Sequence, residues 1–129
     1  SVCAVMLGAA TARAVDVEQD AVTVTRACAR QNGVTARVRA SATSVGRLRG
    51  SYDLIVANIE SSVLQQLAPA LLPRLVPSGI LVLSGILRWQ ADEVLGAYAA
   101  LERLIVGAAD EWVALVLRAP RTGIAQRTR

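Results

Sequence analysis

Asn58 and Asp16 each stand at the carboxyl end of a short apolar run, and those two ends are where this sequence can do chemistry. Residues 51–60 read SYDLIVANIE, in which Leu54, Ile55, Val56 and Ala57 form a continuous apolar run behind Asp53. Such a run is expected of a strand covered on both faces in a parallel sheet. Open α/β sheets bind ligands just beyond the carboxyl ends of their strands, which is the place Asn58 takes. A side-chain amide there donates and accepts hydrogen bonds without titrating. The competing reading is an asparagine that closes the strand by bonding loop backbone. Asp16 ends the β-rich run 13–17, where a carboxylate can accept from both hydroxyls of a ribose or serve only as a solvated turn residue. Ser84 and Gly85 end the buried run 80–84, where they either line a substrate or permit a tight turn.

Positioning these side chains takes alternating strands and helices. Residues 1–7 read as the end of a helix closed by Gly8. Residues 20–31 are a helix with Ala21, Val24, Ala27 and Cys28 on one face and Asn32-Gly33 at its end. Residues 34–40 alternate apolar and polar as a half-exposed strand, and the polar stretch 41–50 is a loop. After the 52–58 strand, Ser61 or Ser62 caps a short helix carrying Leu64 and Leu67. Pro69 then suits the start of a second helical piece, with a kink or break near Pro73. Residues 89–101 place Ala91, Val94, Leu95, Tyr98 and Leu101 on one helical face. Residues 105–106 and 112–117 are the last strands, read as antiparallel neighbours, and Trp89 and Trp112 read as packing residues. Strand alternating with helix gives an α/β fold, with one domain over residues 1–118 and a basic, disordered tail over 119–129.

Composition excludes several chemistries. At 129 residues the chain holds one domain of ordinary size. It has no histidine, which rules out Ser-His-Asp and Cys-His catalysis within it and removes the commonest metal ligand, so no metal site is expected. Cys3 and Cys28 form no C-x-x-C and read as reduced packing residues. No apolar run reaches the roughly 18 residues of a membrane span, and the cytoplasm is the expected location. Every basic residue is an arginine, and Arg26, Arg30, Arg37, Arg39, Arg47 and Arg49 occur with no acid between Ala21 and Tyr52. A solvated face is the plain reading of that stretch and an RNA-facing patch the alternative. Stacking aromatics are absent there, so direct nucleic-acid binding is not expected.

Asn58-Ile59 after its strand resembles the fourth-strand motif of class I S-adenosylmethionine-dependent methyltransferases. Ser84-Gly85-Ile86-Leu87 followed by Gln90-Ala91, then Ala97-Tyr98 and Glu111-Trp112, are similar in order to segments of the PrmA family, which methylates a bacterial large-subunit ribosomal protein. Leu7-Gly8-Ala9, Val15-Asp16-Val17 and Gln31-Asn32-Gly33-Val34 resemble that family's second strand and the helix after it. The resemblance covers residues 1–118.

The resemblance implies a Rossmann-like sheet of seven strands in the order 3-2-1-4-5-7-6, the seventh antiparallel. It implies S-adenosyl-L-methionine as cofactor, with Asp16 on the ribose and Asn58 on the cofactor and substrate side as the catalytic asparagine. The implied substrate is a ribosomal large-subunit protein. Ile59-Glu60 departs from the Pro-Pro-aromatic that follows this asparagine in glutamine and nucleobase amino-methylases, which argues against those substrates. The family's D-x-D-P becomes Asp16-Val17-Glu18-Gln19, keeping the first carboxylate and lengthening the second. None of the nine glycines forms the G-x-G of the family's cofactor loop. The chain is therefore expected to be the carboxyl-terminal part of a methyltransferase, lacking the first strand and glycine-rich loop and inactive alone. The alternatives are a non-catalytic remnant or interaction module with the same fold, and, last, a piece of a nicotinamide-binding oxidoreductase.

Overall fold

The computed structural model describes residues 1–124, which pack as two units, Ser1–Leu48 and a second opening at Arg49. In the first unit α1 (Val2–Met6) leads through Gly8 to β1 (Ala12–Val15), then α2 (Gln19–Gln31) and β2 (Val38–Ser41). Strands β1 and β2 pair in parallel, from Ala12 with Val38 to Val15 with Ser41. Val2, Val5, Ala29, Val34 and Val38 form the core of this unit.

Helix α2 lies where its periodicity places it, but its buried face is centred on Val22 and Ala29, and Val24 is 67% exposed. Two residues advance a helix by about 200°, so Val22 and Val24 cannot share a face, and Val22 takes the core side with Ala29 two turns on. The second strand starts at Val38, later than its alternation suggested. Arg37 N–H bonds the Val34 carbonyl at 2.9 Å, and that turn uses backbone groups a longer ladder would need. Cys28 packs beside the core, whereas Cys3 is exposed; both are free thiols.

The second unit runs β3 (Tyr52–Asn58), α3 (Ser61–Leu71), β4 (Leu75–Leu87), α4 (Ala91–Ala97), β5 (Glu102–Ala109) and β6 (Trp112–Arg118). Its sheet order is β3-β4-β6-β5, with β3 and β4 parallel and β6 antiparallel to both β4 and β5. This is the 4-5-7-6 flank of the order implied above, including the antiparallel strand. One sheet face is buried through Leu81, Leu83, Ile86, Leu115 and Leu117, and the helices bury Leu64, Leu71, Val94 and Tyr98. Helix α3 packs on both β4 and α4. The Tyr98 hydroxyl, on the α4 side, donates to the Leu64 carbonyl of α3 at 2.6 Å.

Several local expectations are corrected here. Glu60, not a serine, is the N-cap of α3, and the helix continues through Pro69. Burial of Leu64, Ala68 and Leu71 along one face offsets the helix bond that Pro69 cannot make. The break falls at Pro73, in a 3-10 turn of Leu72–Arg74. Strand β3 has its expected span, but Leu54 and Val56 are 48% and 62% exposed. It is the edge of its sheet, and alternate residues face away from the helix-covered side. Trp112 shares that open face and is exposed, as is Trp89 at 73%, so neither is a core residue.

Beyond Arg118 the chain stays tied to the sheet. Ala119 is buried and donates to the Gly79 carbonyl at 2.8 Å, and the Pro120 carbonyl accepts from Ser78 and Gly123. Residues 125–129 of the expected tail lie outside the described residues. Among the described residues no helix is long and apolar enough to cross a membrane.

Candidate functional site

The carboxyl end of the parallel β3–β4 pair brings together Asn58, Ser84 and Gly85. Asn58 is the last residue of β3 and sits in register with Ser84. On the other edge of β4 the pairing with β6 shifts between Leu83 and Ile86, so Ser84 and Gly85 occupy an irregularity in that ladder. Such bulges re-aim side chains at strand ends.

Gly85 has φ +78°, a left-handed conformation that a Cβ disfavours. A Cβ there would lie 2.9 Å from Asn58 Oδ1 and 3.0 Å from the Ile59 carbonyl oxygen. Glycine is thus required twice, once by the backbone and once by the approach of Asn58. Sequence reasoning named Gly85 only as a turn residue or pocket lining; its packing against Asn58 is a non-local contact with no sequence signal.

Asn58 is exposed, and its side-chain amide makes no hydrogen bond among the described residues. The strand-closing role, in which this amide satisfies loop backbone, is therefore not the one adopted. Beside it Glu60 is engaged at the start of α3. Its carbonyl accepts from Leu64 N–H at 3.0 Å and its carboxylate from the Ser62 hydroxyl at 3.1 Å. What remains at this strand end is a neutral donor and acceptor free to bind a ligand polar group.

Asp16, in the first unit, follows β1 directly. Its N–H donates to the Ser41 carbonyl at 3.3 Å, extending the β1–β2 ladder by one bond. Its Oδ1 accepts from Glu18 N–H at 2.9 Å, a local turn that fixes the carboxylate where the chain enters α2. The second oxygen, Oδ2, has no partner among the described residues, and the residue is exposed. One carboxylate oxygen is thus left open as a hydrogen-bond acceptor. Glu18 is the N-cap of α2, so the lengthened second acid of the motif lies at a helix start. Asp16 and Asn58 belong to different units, and each is positioned within its own.

Among the described residues no three His, Cys, Asp or Glu side chains gather as metal ligands. Tyr98 is buried on the α4 side of the second unit. Burial pushes its phenol up to about 12, because the charged form would lose its solvation.

Comparison with known proteins gives the family. The family model described as ribosomal protein L11 methyltransferase (PrmA) matches residues 1–120. The ribosomal protein L11 methyltransferase of Dechloromonas aromatica is 44% identical over 116 residues, covering 89% of this chain and 38% of that protein. Its counterpart in Geobacter sp. (strain M21) is 39% identical over 120 residues, covering 93% of this chain and 39% of that protein. The chain thus spans roughly two fifths of the length of these curated relatives. The crystal structure of ribosomal protein L11 methylase from Lactobacillus delbrueckii subsp. bulgaricus superposes with a TM-score of 0.87 at 29% identity, over 92% of this chain and 63% of that one. An RNA methyltransferase from Salinibacter ruber, solved with S-adenosyl-L-homocysteine, shares the fold at TM-score 0.66 and 16% identity, over 92% of this chain and 72% of that one.

Proposed function

This chain belongs to the ribosomal protein L11 methyltransferase (PrmA) family, and from that premise we propose that it is part of an S-adenosylmethionine-dependent protein N-methyltransferase. Ribosomal protein L11 is its substrate and the cytoplasm its location. When bound, the cofactor supplies an activated methyl group, a chemistry that needs positioning more than it needs an acid or base from the protein. That demand agrees with a chain containing no histidine.

Within this reading Asp16 holds the ribose hydroxyls through its open carboxylate oxygen. Asn58 accepts an N–H of the incoming amine through its amide oxygen and thereby directs the nitrogen lone pair. The observation that carries the assignment is the Asn58 amide, unbonded to protein and set against Gly85 at a parallel strand end. The 129-residue polypeptide does not complete the transfer by itself, because it contains no G-x-G to approach the amino-acid part of the cofactor.

The test is transfer of labelled methyl groups to ribosomal protein L11. Residues 1–129 alone should be silent. A longer polypeptide that places the family's glycine-rich loop ahead of residue 1 should be active, and Asn58→Ala in it should lower turnover more than cofactor affinity. A folded, cofactor-binding longer polypeptide that transfers nothing would reassign the chain to a non-catalytic module. Turnover by residues 1–129 alone would overturn the claim of inactivity.

A further inference from the structure

The arginine-rich stretch of the first unit is exposed, as a solvated face would be, and part of it is gathered around one cavity. A surface cavity of about 530 Å³ is lined by Arg13, Arg26, Arg30 and Arg39 together with the hydroxyl residues Ser41 and Thr43, and no carboxylate lines it. All of these residues lie within Ser1–Leu48.

Arg13 of β1 and Arg39 of β2 are register partners in the parallel pair. Register partners on adjacent strands project to the same side, with backbones about 4.8 Å apart. Like charges placed directly opposite each other weaken a sheet. No acid relieves the pair, because the one ion pair among the described residues is Arg118 with Glu102, in the second unit. Arg30 brings a third cation from α2 to the same cavity.

Arg26 is differently employed. Its Nε and Nη2 both donate to the Ala40 carbonyl, at 3.2 and 2.8 Å, and so fix α2 against β2 as the wall of the cavity. A short β-pair carrying an uncompensated arginine couple, in a cavity also lined by Arg30 from the helix side and by the hydroxyl residues Thr35, Ser41 and Thr43, has the donor set for a tetrahedral oxyanion. Guanidinium forks match phosphate oxygens, and hydroxyls complete the shell.

The geometry points to a phosphate-binding site formed by Arg13, Arg39 and Arg30, recognising the phosphate group of a small phosphorylated ligand or of an RNA backbone. It is independent of the methyl-transfer reading, since neither Asp16 nor Asn58 lines the cavity.

Two arms test it on the 129-residue chain. In the first, inorganic phosphate and pyrophosphate are titrated at constant ionic strength, with chloride as the comparison, and followed by calorimetry and by amide NMR shifts in β1 and β2. In the second, a short single-stranded RNA is titrated across a salt series. Phosphate, unlike chloride, should bind and perturb β1 and β2, and Arg39→Gln or Arg13→Gln should weaken it about tenfold, as loss of one charged fork implies. RNA binding should lose about one unit of salt slope in the same variants. Arg103→Gln, on β5 of the second unit and outside the cavity, should change neither.

Removing one arginine of the pair should also raise the melting temperature of the anion-free chain, by relieving repulsion. A misfolded variant cannot imitate that direction. Binding in the first arm upholds the site with a small ligand, and binding in the second alone upholds it with a polymer. Failure of phosphate, pyrophosphate and RNA to bind, or binding indifferent to both variants, overturns it.

Discussion

Replacing Gly85 by alanine adds a methyl group where Asn58 Oδ1 stands 2.9 Å and the Ile59 carbonyl oxygen 3.0 Å from the new carbon. The left-handed φ of +78° itself costs an L-residue about 1–2 kcal/mol. The Asn58 amide is the end of a side chain and can swing aside. The Ile59 carbonyl is backbone at the end of β3, and moving it costs a further ~1–2 kcal/mol of the kind overpacking exacts. Together these predict about 2–4 kcal/mol of destabilisation, or a midpoint lowered by on the order of 2 M in urea. Both tryptophans, Trp89 and Trp112, lie in the second unit, so their fluorescence reports the unit that carries the change. Gly96→Ala is the matched control. It lies in α4 with nothing within 4 Å of its added carbon and should stabilise by about 0.5–1 kcal/mol. One chemical change is thus predicted to act with opposite sign at two glycines. A Gly85→Ala midpoint at or above that of the parent chain would refute the packing argument, and with it the fixed placement of Asn58.

Removing the Tyr98 hydroxyl with Tyr98→Phe leaves the buried Leu64 carbonyl without that bond and should cost about 1–2 kcal/mol in the same denaturation assay. Its phenol ionises at 10.0 when unfolded and at about 12 when folded, so its stabilising contribution is complete below pH 10.0 and declines towards pH 12. The gap between parent and Tyr98→Phe should therefore narrow over that window, and a constant gap would count against burial as the cause. In a longer, cofactor-binding polypeptide, Asp16→Ala should weaken S-adenosylmethionine by about 1.5–3 kcal/mol, and unchanged calorimetric affinity would remove the ribose role. Arg26→Met keeps the aliphatic stem but loses both bonds to the Ala40 carbonyl; it should cost about 1–2 kcal/mol, read as faster amide exchange in β2. Glu102→Gln breaks an ion pair whose side chains are 60% and 43% exposed and should shift stability by less than ~1 kcal/mol.

The sequence made much of the framework readable because local chemistry decides it. The apolar run closed by Asn58 marked β3 over its full observed span, and the spacing of Val94, Tyr98 and Leu101 identified the buried face around α4. Where a segment offered two solutions, tertiary packing chose. Helix α2 has apolar or small residues on two stripes, and the core took Val22 and Ala29 over Val24. Leu54 and Val56 read as buried because a continuous apolar run does not reveal which face a neighbour covers. The strand-end positions of the two candidate residues, Asp16 and Asn58, were legible. What fixes one of them was not, since the close approach of Gly85 to Asn58 depends on the β3–β4 register and on a backbone angle that no local pattern encodes.

The pairing scheme of the second sheet also sets a sequence in time. Strands β5 and β6 meet across a two-residue turn at Asp110 and Glu111, which the Arg88 side chain and backbone N–H tie to the end of β4. That closure is local and therefore fast, whereas β3 reaches β4 only after the whole of α3 has crossed over. The Asn58–Ser84 juxtaposition thus closes over a longer separation than the β5–β6 hairpin. As an edge strand with an open face, β3 is also cheaper to detach than the central β4 and β6. Amides of β3 exchanging faster than those of β6 would register this ordering. The catalytic asparagine proposed for this chain then belongs to an edge of the sheet, so its placement can be lost while most of the sheet still stands.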